Sequence, residues 1–310
     1  MMKFAFLFPG QGSQSVAMMQ GYADLSVVHD TFVEASDILG QDLWAMVNDG
    51  PVALLNATVN TQPVMLAAGV ASYRAWLALG GRVPDVMAGH SLGEYTALVA
   101  AGALSFADAL PLVRIRALAM QDAVAEGVGA MAAILGLDDE TVRAVCAEAA
   151  QGEVLEAVNF NSPGQVVIAG HKEAVERGMA LAKEKGAKRA LPLPVSVPSH
   201  CALMRPAAEK LSVALANIKI AAPQVPVLHN ADVASYQQGN QICDALARQL
   251  YSPVRWVETV RFMANDGVTL AAECGPGKVL AGLTKRIDDR ISATALISVA
   301  ACEEFKNLIA

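Results

Sequence analysis

The chain has 310 residues, of which 54% are hydrophobic and 17% are charged. This composition supplies a large buried core and excludes a disordered chain. The formal net charge of −7 argues against nucleic acid as a general partner. No uninterrupted apolar stretch reaches the roughly 18 residues of a membrane span, so we expect no membrane association.

The number and spacing of the cysteines indicate the cellular compartment of the protein. They are five in number, and no two of them form a C-x-x-C pair. An odd, dispersed set is typical of reduced thiols in a cytoplasmic protein, without a disulfide framework or a metal site. The five are Cys146, Cys201, Cys243, Cys274 and Cys302.

The first predicted element is a short buried strand, from Lys3 to Phe8, which leads into the loop PGQG at residues 9–12. The apolar run is too short for a signal peptide. A dinucleotide fingerprint would need a third glycine at the position of Ser15, and a phosphate-binding loop would need a lysine followed by serine or threonine. The loop therefore offers backbone N–H groups without a nucleotide signature.

Helix and strand patterns then alternate. Ser105 and Asp108 resemble a capping box, although Pro111 should kink the helix that follows or delay its start. The predicted elements are a helix over residues 62–79, a strand over 85–89, a helix over 94–101 and a helix from about 105 to 125.

The stretch GHSLG at residues 89–93 contains G-x-S-x-G between a predicted strand and a predicted helix. This is the context of a nucleophile elbow, in which the serine hydroxyl is exposed and the helix N-terminus faces an anion. A glycine turn with a capping serine would also satisfy the pattern. Ser91 is the candidate nucleophile.

A serine nucleophile needs a base. His90 adjoins Ser91 and should point away from its hydroxyl, while His29 and His171 should lie at the surface. His200 in the loop VSVPSHC and His229 after the strand PVLH remain. The chemistry of the residues does not separate these two.

Between the glycines at 127–129 and the prolines at 192–198, the predicted order is β-α-β-β-α-β, the ferredoxin-like split motif. We therefore predict a large α/β domain formed by residues 1–126 and 197–310, with a small domain of residues 127–196 inserted in it. The segments of the small domain are strands at 130–135, 154–159, 165–169 and 190–195, and helices at 138–149 and 172–185.

Several motifs occur together, in a fixed order and at characteristic spacings. They are FPGQGSQ at 8–14, GHSLGEY at 89–95, the pair Arg114 and Arg116, NFNSPGQVVIAG at 159–170, VPSH at 197–200 and ECGPGKVL at 273–280. Together they resemble the malonyl-CoA:acyl carrier protein transacylases of bacterial type II fatty acid synthesis. The resemblance covers the whole chain and implies an α/β-hydrolase-like large domain with an inserted ferredoxin-like domain.

The resemblance also implies roles for named residues. It makes His200 the base, places the backbone N–H groups of Gln11 and Leu92 in the oxyanion hole, and has the backbone carbonyl of Gln249 orient the histidine. A glycine-flanked loop suits the role of Gln11, because it lets the backbone approach the tetrahedral oxygen. No carboxylate is then required next to the histidine.

Arg116 is implied to bind the carboxylate of the malonyl group, as a guanidinium does with two charge-assisted hydrogen bonds. Arg114 should leave the helix on another face, since two residues correspond to about 200° of rotation. Gln62 is implied to line the site, and Asn161 is expected to be a turn residue at the domain junction. Two solvated helix arginines would be the alternative interpretation.

The implied reaction is ping-pong transfer of malonyl from malonyl-CoA to the phosphopantetheine thiol of acyl carrier protein, through a malonyl-serine, by a monomer that needs no cofactor. A basic patch should receive the acidic carrier protein, formed by Lys285, Arg286 and Arg290 or by Lys188 and Arg189. A serine hydrolase and a non-catalytic carrier-protein module are the alternatives. The pathway, whether fatty acid synthesis, polyketide synthesis or malonate decarboxylation, stays open.

Overall fold

A computed structural model describes residues 2–195 and 197–310. The strands of this part of the chain are β1 Phe4–Phe8, β2 Val86–Gly89, β3 Gly129–Leu135, β4 Leu155–Ser162, β5 Gln165–His171, β6 Arg189–Pro192, β7 Val227–Leu228, β8 Leu270–Cys274 and β9 Ser292–Leu296.

The helices surround these strands. They are α1 Ser26–Leu39, α2 Leu43–Asp49, α3 Val52–Asn56, α4 Thr58–Ala78, α5 Gly93–Ala100, α6 Phe106–Asp122, α7 Asp139–Ala150, α8 Lys172–Glu184, α9 Arg205–Leu215, α10 Gly239–Gln249, α11 Trp256–Asn265, α12 Val279–Ile287 and α13 Val299–Ile309.

The strands form two separate sheets. One is parallel, in the order β7-β2-β1-β8-β9, and the other is antiparallel, in the order β4-β5-β3-β6. The predicted mixed α/β class is thus confirmed. The antiparallel strands all lie between residues 129 and 192, while the boundaries of the two predicted domains stay a prediction.

Strand β1 runs through the middle of the parallel sheet and is buried at all five positions. Phe4, Phe6 and Phe8 face a core that includes Trp76 and Phe305. The intervening residues of β1 face a second core on the other side of the sheet, together with Trp256 and Val260 of α11. Burial on both faces is what a strand covered by helices on each side requires, and it holds the loop after β1 in a fixed position.

Three local predictions need correction. Helix α4 begins at Thr58, about one turn before the predicted start, and contains Pro63. Helix α6 begins at Phe106 and passes through Pro111, so its start is not delayed; the Ser105 side chain accepts a hydrogen bond from the Asp108 N–H, as a capping box requires. The strand predicted over 190–195 ends at Pro192.

Candidate active site

The nucleophile elbow is formed where β2 meets α5. Ser91 has a φ of 51°, in the left-handed region that non-glycine residues seldom adopt. A Cβ on Gly93 would lie 2.0 Å from the carbonyl oxygen of Phe8, and one on Gly89 would lie 1.9 Å from the carbonyl carbon of Gly93. Both glycines are therefore needed for the close passage of strand, turn and helix around Ser91.

His200 lies beside the serine. Its Nε2 is 2.8 Å from the Ser91 hydroxyl, and its Nδ1 is 2.8 Å from the backbone carbonyl oxygen of Gln249. Because that carbonyl can only accept, Nδ1 carries the proton and Nε2 is free to accept from the serine hydroxyl. The arrangement orients a neutral base toward Ser91.

The environment keeps His200 neutral. The residue is buried, and burial together with the positive charge of Arg116 lowers its pKa to about 3. Both causes disfavour the imidazolium in the free protein. His200 is therefore unprotonated at neutral pH, as a general base must be.

His229, the other candidate base, lies elsewhere. Its Nδ1 is 2.7 Å from a carboxylate oxygen of Glu94, and both side chains are buried. The structure therefore places His200, and not His229, within hydrogen-bond distance of Ser91.

The side chain of His90 points away from the serine hydroxyl, as expected, although the residue still lines the cavity in front of Ser91. Its Nε2 is 2.8 Å from the Oδ1 of Asn161, and its ring lies 5.4 Å from that of Trp256. Asn161 belongs to strand β4, so its prediction as a turn residue is wrong. His29 is exposed, and His171 is half-buried with its Nδ1 accepting from the N–H of Val154.

Arg116 brings a buried positive charge to the serine. It is 1% exposed, and burial lowers its pKa. Its Nη1 donates to Gln62 Oε1 at 2.8 Å, and its Nη2 donates to Gln249 Oε1 and to the Ser91 hydroxyl oxygen, each at 3.1 Å. Among the described residues, every hydrogen-bond acceptor of this guanidinium is a neutral oxygen. A buried cation that donates no hydrogen bond to an anion suits the binding of a carboxylate.

Arg114 leaves α6 in another direction, as its spacing predicts. Its guanidinium donates to the carbonyl oxygen of Leu39, at 3.2 Å, and to the side chain of Gln41. It does not line the cavity in front of Ser91.

The loop before Gln11 passes close to the turn that carries Leu92, and these two residues supply the N–H groups predicted for the oxyanion hole. A Cβ on Gly10 would be 2.5 Å from the carbonyl oxygen of His90 and 3.7 Å from the nitrogen of Leu92. Within residues 2–195 and 197–310, the N–H groups of Gln11 and Leu92 donate no hydrogen bond. They are thus available to a negatively charged oxygen.

A cavity of about 140 Å³ lies in front of Ser91. Its polar lining includes Ser91, His200, Arg116 and Gln11, and its apolar lining includes Met120 of α6 and Met131 of the antiparallel sheet. An apolar wall beside a few converging polar groups is typical of a small-molecule site.

Two residues near the site escaped the sequence analysis. Asn230 accepts from the Ser91 N–H at 2.7 Å and donates to the Gly89 carbonyl oxygen at 2.6 Å, so it holds both ends of the elbow. Glu94 is buried immediately behind it and accepts from the Asn230 N–H at 2.8 Å. The one local signal was a glutamate among apolar residues of a buried helix.

In the described part of the chain, no group of three His, Cys, Asp or Glu side chains is arranged to hold a metal ion. The helices described there are also too short or too polar to span a bilayer.

Comparison with known proteins first identifies the class. Residues 5–297 match the acyl transferase domain family, and the chain is accordingly an acyltransferase. A crystal structure of an acyl-carrier-protein S-malonyltransferase from Burkholderia pseudomallei has 60% identical residues and a TM-score of 0.97, covering 99% of this chain and 100% of that one.

The relatives then identify the family. The malonyl CoA-acyl carrier protein transacylase of Escherichia coli K12 is 60% identical over 297 residues, which are 96% of either chain. A structure of a type II PKS acyl-carrier protein in complex with its malonyl-transacylase matches with 55% identity, a TM-score of 0.97 and 99% coverage of each chain. The chain belongs to the family of malonyl CoA-acyl carrier protein transacylases, which confirms the predicted resemblance.

Proposed function

We propose that this acyltransferase moves a malonyl group from malonyl-CoA to the phosphopantetheine thiol of acyl carrier protein, through an ester on Ser91, in fatty acid biosynthesis. The observation that carries the proposal is the buried guanidinium of Arg116, 3.1 Å from the Ser91 hydroxyl and bonded to neutral oxygens. Malonyl thioesters carry the free carboxylate that such a cation requires. The names of the relatives agree with this substrate.

In the first half of the reaction, His200 Nε2 takes the proton of the Ser91 hydroxyl as the serine oxygen attacks the thioester carbonyl. The N–H groups of Gln11 and Leu92 stabilise the negatively charged oxygen; one such donor contributes about 3 kcal/mol in the transition state. The carbon–sulfur bond then breaks, and the CoA sulfur leaves with the proton from His200. The products are malonyl-Ser91 and CoA.

In the second half, the same steps run with the carrier-protein thiol. His200 takes the thiol proton, the sulfur attacks the ester carbonyl, and the Ser91 oxygen leaves with that proton. The Gln249 carbonyl holds the Nδ1 proton of His200 throughout, and Arg116, supported by Gln62, binds the malonyl carboxylate. Because the thioester already activates the acyl group, the transfer requires no cofactor.

The finer description of the fold is also a proposal. We assign residues 1–126 and 197–310 to an α/β-hydrolase-like domain and residues 127–196 to a ferredoxin-like domain. The strand–turn–helix elbow supports the first assignment, and the order β3-α7-β4-β5-α8-β6 supports the second. A monomer in the cytoplasm stays a prediction.

The carrier protein needs a docking surface. Lys285, Arg286, Lys188 and Arg189 are exposed, whereas Arg290 is paired with Asp288. We retain the pair Lys285 and Arg286 as the proposed basic patch, because both are exposed and lie together in the last turn of α12.

The test is intact mass measured after mixing the protein with malonyl-CoA alone. We expect a stable malonyl adduct that peptide mapping assigns to Ser91, and no adduct on the Ser91→Ala variant. Unmodified protein with rapid release of free malonate would instead indicate a serine hydrolase, and neither adduct nor malonate would indicate a non-catalytic carrier-protein module.

A further inference from the structure

The buried carboxylate of Glu94 has no part in the reaction just described. It is 0% exposed, on the first turn of α5. Its oxygens accept from His229 Nδ1 at 2.7 Å, from the Asn230 N–H at 2.8 Å and from Gln249 Nε2 at 3.0 Å. Burying a carboxylate is costly even with such partners, so its presence behind the nucleophile calls for a role.

The bond from Gln249 to Glu94 contributes to the orientation of that side-chain amide. An amide has one end that donates and one that accepts, whereas a carboxylate only accepts. Gln249 Nε2 therefore faces Glu94, and it also donates to the Ser91 carbonyl oxygen at 3.0 Å. The accepting end, Oε1, is left to face Arg116 Nη2 at 3.1 Å.

The guanidinium of Arg116 depends on this orientation. It is held between two amide oxygens, that of Gln62 on Nη1 and that of Gln249 on Nη2. With the Gln249 amide reversed, an NH₂ group would face Nη2, and two donors would oppose each other. The guanidinium would then have to move away from its place beside Ser91.

We propose that Glu94 is a positioning residue for substrate specificity, which fixes the Gln249 amide and through it the guanidinium of Arg116 for a carboxylated acyl group. The inference rests on the proposed malonyl transfer, and it adds a residue that touches neither the substrate nor the reacting atoms. Glu94 thereby links the back of the nucleophile elbow to the choice of acyl group.

Glu94 also acts on the elbow through a second partner. Asn230, whose N–H donates to Glu94, accepts from the Ser91 N–H and so supports the left-handed turn. Loss of this support slows every acyl donor alike. The ratio between two acyl donors therefore isolates the contribution that passes through Gln249 and Arg116.

The test is the Glu94→Gln variant, with the second-order rate constants for acylation of Ser91 by malonyl-CoA and by acetyl-CoA measured by intact mass. One end of the new amide is a donor. If that end faces Asn230 and Gln249, it opposes their donors. If it faces His229, the proton of that histidine must move to its Nε2, which is buried without a partner among the described residues. We expect the ratio of the malonyl to the acetyl rate constant to fall about tenfold. This corresponds to the lower end of the contribution of a hydrogen bond to a charged group.

Glu273→Gln is the matched control. Glu273 is also 0% exposed, accepts from the Ala281 N–H at 2.9 Å and lies on β8 away from the cavity. The ratio should stay at the parental value in this variant. An equal fall in both variants, or a parental ratio in Glu94→Gln, would overturn the inference.

Two further proteins complete the experiment. If Glu94→Gln does not fold, Glu94→Asp is measured in its place, because it keeps the charge and withdraws the oxygens from Gln249. In a double-mutant cycle on the ratio, Glu94→Gln should add little to Gln249→Ala, and full additivity would contradict the inference.

If the parent protein forms no malonyl adduct, the proposed function fails, whereas an adduct with an unaffected ratio overturns only the role of Glu94.

Discussion

Buried groups of opposite charge lie on the two sides of Ser91, and they differ in their hydrogen-bond partners. In front of the serine, the cation of Arg116 has only neutral oxygens as hydrogen-bond acceptors among the described residues. Behind it, the carboxylate of Glu94 receives three donors. Gln249 contacts both charges, with its Oε1 on Arg116 and its Nε2 on Glu94.

The difference distinguishes a charge that can bind a ligand from a charge that positions the side chains around it. A buried charge whose hydrogen bonds are complete has little to gain from a ligand, whereas a buried cation that donates to no anion gains such a partner when an anion enters. We therefore expect substitutions in front of Ser91 to change which acyl group reacts and how fast. Substitutions behind it should change only how well the front is positioned.

The largest effect should come from Arg116→Ala, which removes the cation in front of Ser91. Malonyl transfer should fall steeply, while acetyl transfer should hold or rise, because the unpaired guanidinium no longer penalises an acyl group without a carboxylate. Sites built on such polar pairs discriminate by about 10⁴-fold, so the ratio of the two kcat/KM values should collapse. Arg114→Ala is the control and should leave the ratio unchanged; equal loss of both activities in Arg116→Ala would make the arginine structural.

The two histidines provide the next contrast. His200→Ala should slow acylation of Ser91 by roughly 10²–10⁴-fold, the usual contribution of a general base. His229→Gln retains a donor for Glu94 and should slow it far less. Stopped-flow or quenched acylation by malonyl-CoA measures both, and the reverse ranking would assign the base to His229.

The pH dependence of acylation should show the influence of the cation on His200. Its pKa, lowered to about 3 by burial and by Arg116, keeps the base neutral as the pH falls through the ordinary imidazole value of about 6.5. The acidic limb of kcat/KM should therefore lie well below that value. Removing the cation raises the pKa, so Arg116→Ala, assayed with acetyl-CoA, should show its acidic limb at higher pH. A parental limb near 6.5 would contradict the low pKa.

The smallest effect should come from changing exposed charges that lie outside the active site. Salt should weaken the use of acyl carrier protein more than the use of CoA substrates, since an acidic partner is steered by a basic patch. Reversing Lys285 and Arg286 to glutamate should lower carrier-protein kcat/KM several-fold at low salt and leave Ser91 acylation unchanged. Lys188→Glu with Arg189→Glu tests the alternative patch, and an effect confined to that pair would move the docking surface there.

The sequence alone determined the parts of the site that local backbone geometry encodes. Glycines at 89 and 93 around Ser91 between an apolar strand and a helix specify an elbow, because no larger residue fits the closest contacts. The spacing of Arg114 and Arg116 likewise placed one of them on a different face of α6. The combination of motifs, read as a resemblance, then supplied the family and the expected role of His200.

Only the tertiary structure decided which distant side chains meet. His200 and His229 are both loop histidines in the sequence, and the choice depends on the packing of α10, which brings the Gln249 carbonyl to one and leaves Glu94 to the other. The hydrogen bonds of Glu94, Asn230 and Gln249 are not encoded locally, because their partners lie up to 158 residues away. A hydrogen-bond network between distant segments leaves no periodic trace in a sequence, since its specificity resides in the orientation of single amide and carboxylate groups.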